Sequence, residues 1–379
     1  MSKQLQNIVV LGGGAAGAGT ALAIVNSSNF NPSTHRLILV TPRSFFVLLP
    51  AVIRASVTSE GDLEKRILMP YGDFLKGKGE VKVGKAVSFT SAEAGGEVTL
   101  ESGEKLEYSV LVLALGSIWQ GGALNIPDDE TEAVESLKTW RANFQKATDI
   151  VLVGGGSVGI EYAGEILDFF PNKRVTLVHN QDNLLNNTYP ERFRQAALAR
   201  VRKTGTEVIL GDRLEELEPS SVGTVRTKKG RTIHADLVIP TWGARPNTEL
   251  VRKSLGSEAL SLTGHVKVLP TLQLASHPRI FAVGDIIDWE EQKQAAKTSA
   301  HAGVAAPNVL AVATGASLTK EYKGSMEGIS ITIGRSAGVS YVGILWGIIL
   351  GDWFTSFIKG KGLLIDMTRS HLGLPPPAL

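Results

Sequence analysis

The sequence predicts an α/β protein with two Rossmann-like dinucleotide-binding domains, one inserted in the other, and a small α+β C-terminal region. Three observations carry this expectation. A strand, a glycine-rich turn and a helix stand at Ile8–Ile24 (IVVLGGGAAGAGTALAI) and again at Ile150–Ile166 (IVLVGGGSVGIEYAGEI). A later apolar strand, Ile280–Val283, ends in Gly284-Asp285. The chain has 379 residues, more than one typical domain. The expected divisions are 1–120 and 245–322 for the first domain, 121–244 for the inserted one, and 323–379 for the C-terminal region.

Each element follows from local chemistry. Ile8–Leu11 is a short β-branched apolar run, the signature of a strand buried on both faces of a parallel sheet. Gly12, Gly14 and Gly17 follow in G-x-G-x-x-G spacing. The first permits a tight turn, the second lets backbone approach a pyrophosphate, and the third packs helix against strand. The helix N-terminus then offers free N–H groups to an anion. Gly154, Gly156 and Gly159 repeat the device after Ile150–Val153. One such motif is weak evidence, since glycines also serve as packing turns; two copies suggest one dinucleotide site per domain.

The remaining segments fill in the plan. Arg36–Pro42 (RLILVTP) is the second strand of the first unit, with Thr41 where a ribose-binding acid usually stands. Residues 97–117 read as a meander with a Ser102-Gly103 turn, then an apolar strand ending at Gly116-Ser117. Residues 119–148 read as linker and helix, and Arg174–Asn180 as the second strand of the inserted unit. Asp285, after a glycine at the carboxyl end of a parallel strand, is placed to accept from a ribityl hydroxyl or to cap a helix.

Composition narrows the function classes. Hydrophobic residues make up 43% of the chain, enough for sizeable cores, and the net charge of +2 shows no basic stripe for nucleic acid. There is no cysteine, so disulfide reduction, persulfide chemistry and Cys-ligated iron–sulfur clusters are excluded. Seven scattered histidines give no metal-ligand spacing, so no metal is expected. No secretory signal is read, and Ser2 does not fit the N-myristoylation motif. A cytoplasmic protein is expected.

In order, GGGAAG, LVLALGS, GGGSVGIE, TWGARPN and IFAVGD resemble the two-dinucleotide-binding-domain flavoproteins, including type II NADH dehydrogenases and apoptosis-inducing-factor relatives. Leu48–Val57, Val175–Leu185 and Lys359–Ile365 are similar to the ferroptosis-suppressor branch and its fungal homologues. Departures are Leu115, where that pattern has threonine, Thr41, and the missing N-terminal glycine.

The resemblance implies FAD, plain or modified, on the first unit and NADH or NADPH on the second. Hydride would pass from the nicotinamide to flavin N5 and then reduce a quinone of the ubiquinone type. Gly12, Gly13, Gly14, Ala15, Ala16 and Gly17 would cradle the FAD pyrophosphate. Arg54 would lie along the FAD, Lys82 would meet the adenine through its backbone, and Asp285 would take the ribityl side. Gly154, Gly156 and Gly159 would hold the NAD(P)H pyrophosphate. Glu161 would face the nicotinamide and flavin ring, with helix N-terminal charge stabilisation as the alternative. Lys359 and Lys293 match lysines near the ring. Glu165 and His301 are read as structural. His179 replaces the acid that would repel a 2′-phosphate; protonated, it would attract one, which leans the choice to NADPH with NADH also accepted.

Val339–Ile358 approaches a membrane span in length, but Gly343, Gly347 and Gly351 interrupt it. The resemblance implies a hairpin and helix packed on the flavin domain instead, with an apolar face touching a bilayer as the alternative. It also implies peripheral contact with the mitochondrial outer membrane or a lipid droplet if the protein meets a membrane. Two rival functions remain open: a reductase or oxidase delivering electrons to a protein partner or oxygen, and a redox-controlled signalling or cell-death factor with weak nucleic-acid binding. No specific nucleic-acid partner is expected, and the chain is taken as a monomer or homodimer.

Overall fold

Strands that are apolar on both faces must lie inside a sheet covered by helices. Ile8–Leu11, Leu37–Val40 and Val110–Leu113 are all buried. They form the centre of a six-stranded sheet in the order Gln273–Leu274, His277–Ala282, Val110–Leu113, Gln6–Leu11, His35–Thr41, Gly79–Val83. All pairs are parallel except the first. The computed structural model of the chain describes residues 5–374.

A second, four-stranded parallel sheet repeats the plan: Glu207–Ile209, Arg174–Val178, Asp149–Val153, Leu237–Pro240. In both sheets the strand before the glycine turn has its successor on one side and a later strand on the other. That reversal opens a crevice at the carboxyl ends of the strands, where open α/β sheets bind ligands. The glycine turns therefore stand at the mouths of two crevices.

The helix Ala15–Asn26 packs on the helix Thr298–Thr314; both are rich in alanine, which allows close approach. The Ser102-Gly103 turn lies between Gly96–Leu100 and Lys105–Tyr108, part of a three-stranded antiparallel sheet beginning at Ala86.

The C-terminal helix Ile365–Leu372 meets the helix Ala15–Asn26 of the first unit, but the hairpin departs from its expected place on the flavin domain. It is a three-stranded antiparallel sheet (Gly328–Ile333, Ala337–Val342, Ile348–Leu350), and it rests against the helix Ser157–Phe169 of the second glycine unit. The reason is Gly164: a Cβ there would lie 2.4 Å from the Ile333 Cα, so only glycine lets helix and strand meet. Ile331 and Val339 of this sheet are fully buried, whereas Leu345 and Trp346, at the far turn, are 76% and 94% exposed. Among the described residues no helix is long and apolar enough to cross a membrane.

Candidate functional site

The two glycine turns have the same construction. Gly12 and Gly154 take φ of 108° and 125°, a region that strains any other residue. A Cβ on Gly17 would lie 1.8 Å from the Gly12 carbonyl oxygen, and one on Gly159 2.0 Å from that of Gly154. These are the close-packing positions. Gly14 and Gly156 face open space, with no atom within 4 Å of where a Cβ would stand. Their open sides border cavities of about 610 and 620 Å³. Each cavity thus has a bare backbone wall at a helix N-terminus, which fits a pyrophosphate.

Side chains seal the backs of both turns. Tyr71 donates its hydroxyl to the Gly13 carbonyl at 2.5 Å, and burial raises its pKa to about 12, so it stays protonated. In the second turn the Gly155 N–H donates to Nδ1 of His179 at 3.1 Å. Burial pushes the His179 pKa below its ordinary value. The ring is therefore neutral, with Nδ1 as an acceptor. Its imidazole buttresses the glycine turn, and burial disfavours the protonated form that would attract a 2′-phosphate. Arg213, in the loop after Glu207–Ile209, lines the same cavity.

Other candidates stand at varied distances from the cavities. Asp285 accepts from the Ser117 hydroxyl at 2.8 Å, and Ser117 lines the first cavity. The Lys82 side chain pairs with Glu104 at 2.8 Å and lines a separate polar groove, while Gly84 and Lys85 line the first cavity. Lys293 lines the second cavity, held by the carbonyls of Ile287 and Trp289 at 2.9 and 3.0 Å. Burial lowers its pKa, the nearby Glu291 opposing. His301 is buried, as the structural assignment requires. Its Nδ1 accepts from Gly284 N–H and its Nε2 pairs with Glu291 at 3.0 Å.

Two buried carboxylates project from one face of the helix Ser157–Phe169, one turn apart. Glu161 accepts from the Thr332 N–H at 3.1 Å and from the Lys359 ammonium at 2.5 Å, with both side chains nearly out of solvent. Glu165 takes Nε and Nη2 of Arg54 at 2.7 and 2.8 Å. Burial raises the Glu165 pKa, with Arg54 opposing. Removing one partner of such a buried pair costs about 3–5 kcal/mol. Arg54 was expected along the FAD; its fork instead holds Glu165, while Nη1 donates to the Gly360 carbonyl at 2.6 Å. Tyr71, Arg213 and the partner of Arg54 escaped sequence reasoning. For Arg213 the signal was a cation just past a strand end; for the other two no local signal exists. Among the described residues no group of acids and histidines could hold a metal ion.

A family model of pyridine nucleotide-disulphide oxidoreductases matches residues 6–305. The chain belongs to that family. It is thus an oxidoreductase of the FAD/NAD(P) type, although it lacks the cysteines of disulphide chemistry. It is 43% identical to the FAD-dependent oxidoreductase FVFD30 of Flammulina velutipes over 84% of this chain and 98% of that one. It is 28% identical to ferroptosis suppressor protein 1 of Homo sapiens over 98% and 97% of the two chains. The sulfide:quinone oxidoreductase of Aquifex aeolicus shares the fold, with a TM-score of 0.77 at 17% identity over 97% of this chain and 91% of that one.

Proposed function

We propose that this protein is an FAD-dependent NAD(P)H:quinone oxidoreductase. The observation that carries the reading is the duplicated glycine cradle, each copy open at its middle glycine onto its own cavity, in a chain without cysteine. Bound FAD would accept hydride at N5 and return two electrons to the acceptor.

Gly12–Gly17 would hold the FAD pyrophosphate, with Ser117 and Asp285 toward the ribityl chain. Gly154–Gly159 would hold the NAD(P)H pyrophosphate, with Lys293 on the same wall. The Lys359–Glu161 pair would present a fixed charge beside the flavin ring; the ammonium favours the negative charge of the reduced state. Thr332 fixes the carboxylate rotamer by its N–H and hydroxyl.

Similarity to ferroptosis suppressor protein 1 supports a quinone as acceptor. So does an apolar edge: Leu345, Trp346, Trp353 and Phe357 are all more than half exposed, and the last two stack at 6.0 Å. Such an edge suits contact with a bilayer, where a lipid quinone resides. The test compares acceptors at steady state with NADH and with NADPH. The reading expects turnover with a short-chain ubiquinone to exceed that with oxygen alone by about tenfold or more. Equal rates with and without quinone would replace it with an oxidase.

A further inference from the structure

Arg54 joins three segments distant in sequence. It lies in the helix Leu49–Val57, its carboxylate partner Glu165 in the helix Ser157–Phe169, and its carbonyl partner Gly360 in the π-helical turn Ser356–Gly360. Glu165 is one helical turn from Glu161. Gly360 follows Lys359 directly. One guanidinium therefore grips both the helix that carries Glu161 and the turn that carries Lys359.

We propose that Arg54 is a positioning residue that sets the Lys359–Glu161 pair; the inference rests on the reading of that pair given above. The geometry is specific to arginine. Two parallel N–H donors meet the carboxylate at 2.7 and 2.8 Å, which fixes the rotation of the helix about its axis. The third donor meets a carbonyl at 2.6 Å in another segment. A lysine is a point charge and cannot hold both directions at once. The side chains of Arg54 and Glu165 are 5% and 2% exposed, so water does not substitute for either.

The surroundings enforce close approach. A Cβ on Gly360 would lie 2.6 Å from the Arg335 carbonyl oxygen, so the π turn sits flush on the loop before Ala337–Val342. Gly164 admits Ile333 in the same way, which places Thr332 over the Glu161 carboxylate. A π turn inside a helical segment re-aims the side chains that follow it and recurs at functional sites. Here it aims Lys359 at Glu161, and Arg54 locks the turn from behind. A displacement of an ångström at such a pair is enough to slow a reaction by about a hundredfold.

The test uses the flavin-loaded protein and the variants R54K, K359M and R54K/K359M. Hydrogen–deuterium exchange at Thr332 reads the Glu161 contact directly, since that N–H donates to Glu161; Leu363 reads the turn, since its N–H bonds the Lys359 carbonyl. In R54K both amides should exchange at least about tenfold faster, while those of Gly12–Gly17 stay unchanged. FAD content should be retained, and flavin reduction by NAD(P)H should slow by about tenfold or more. R54K should add little to the defect of K359M, because it acts through Lys359. Loss of FAD in R54K would return Arg54 to the cofactor and overturn the proposal. So would unaltered exchange at Thr332, or a fully multiplicative effect in the double variant. If R54K does not fold, E165Q carries the same measurements. A wild-type protein that NAD(P)H fails to reduce would sink the proposed function, while the exchange data would still decide the role of Arg54.

Discussion

At the scale of single residues, the three glycines of each turn do separate jobs, and substitution distinguishes them. Gly17→Ala and Gly159→Ala insert a methyl group into a carbonyl oxygen and should destabilise the fold by about 1–3 kcal/mol, read as a fall in melting temperature. Gly14→Ala and Gly156→Ala meet no protein atom, so stability should hold while FAD content and NAD(P)H affinity fall respectively. Unchanged nucleotide binding in both would remove the cradles as ligand sites. His179 makes a second prediction. Its folded pKa lies below the ordinary 6.5, so the unfolded chain takes up the proton first. The stability it contributes is complete above that value and is lost as pH falls from 6.5 toward the folded pKa. Because the ring stays neutral, the NADPH-to-NADH preference should be flat between about pH 6.5 and 8. A preference for NADPH that rises steeply with protonation near 6.5 would contradict the assignment. Replacing Arg213 with glutamine, by contrast, should weaken NADPH more than NADH.

At the scale of elements, the glycine turns are legible in the sequence because each is a local constraint: strand, turn and helix fall within seventeen consecutive residues. The parallel strands are legible for the same reason, as short β-branched runs. The Arg54–Glu165 contact is not, because its partners lie 111 positions apart and neither flanking pattern differs from that of an ordinary amphipathic helix. Resemblance alone pointed Arg54 at the cofactor. The C-terminal hairpin was expected on the flavin domain and rests on the second unit for a related reason: Gly164 reads as one more glycine in a helix, and only the fold reveals that it is where Ile333 lands. The apolar tip is itself testable. Trp346 and Trp353 lie outside the cavities, and replacing both with glutamate should lower partition to quinone-bearing vesicles by at least about tenfold. Flavin reduction in solution should be unaffected. Equal vesicle binding would show that this edge does not meet lipid.

At the scale of the whole molecule, two parallel sheets are built on one plan, and the C-terminal sheet packs on the helices Ser157–Phe169 and Glu191–Lys203 of the second. The family name promises a disulphide relay, and the absence of cysteine removes it. Thiol-alkylating reagents should therefore leave turnover unchanged. Electrons have to leave the flavin directly for an acceptor. The most direct test is anaerobic stopped-flow absorbance on the flavin-loaded protein, mixed first with NADH or NADPH and then with a short-chain ubiquinone. The account predicts bleaching of the flavin band by the nicotinamide, fast reoxidation by the quinone and slow reoxidation by air. A flavin that neither nucleotide bleaches, or one bleached but indifferent to quinone, would contradict it.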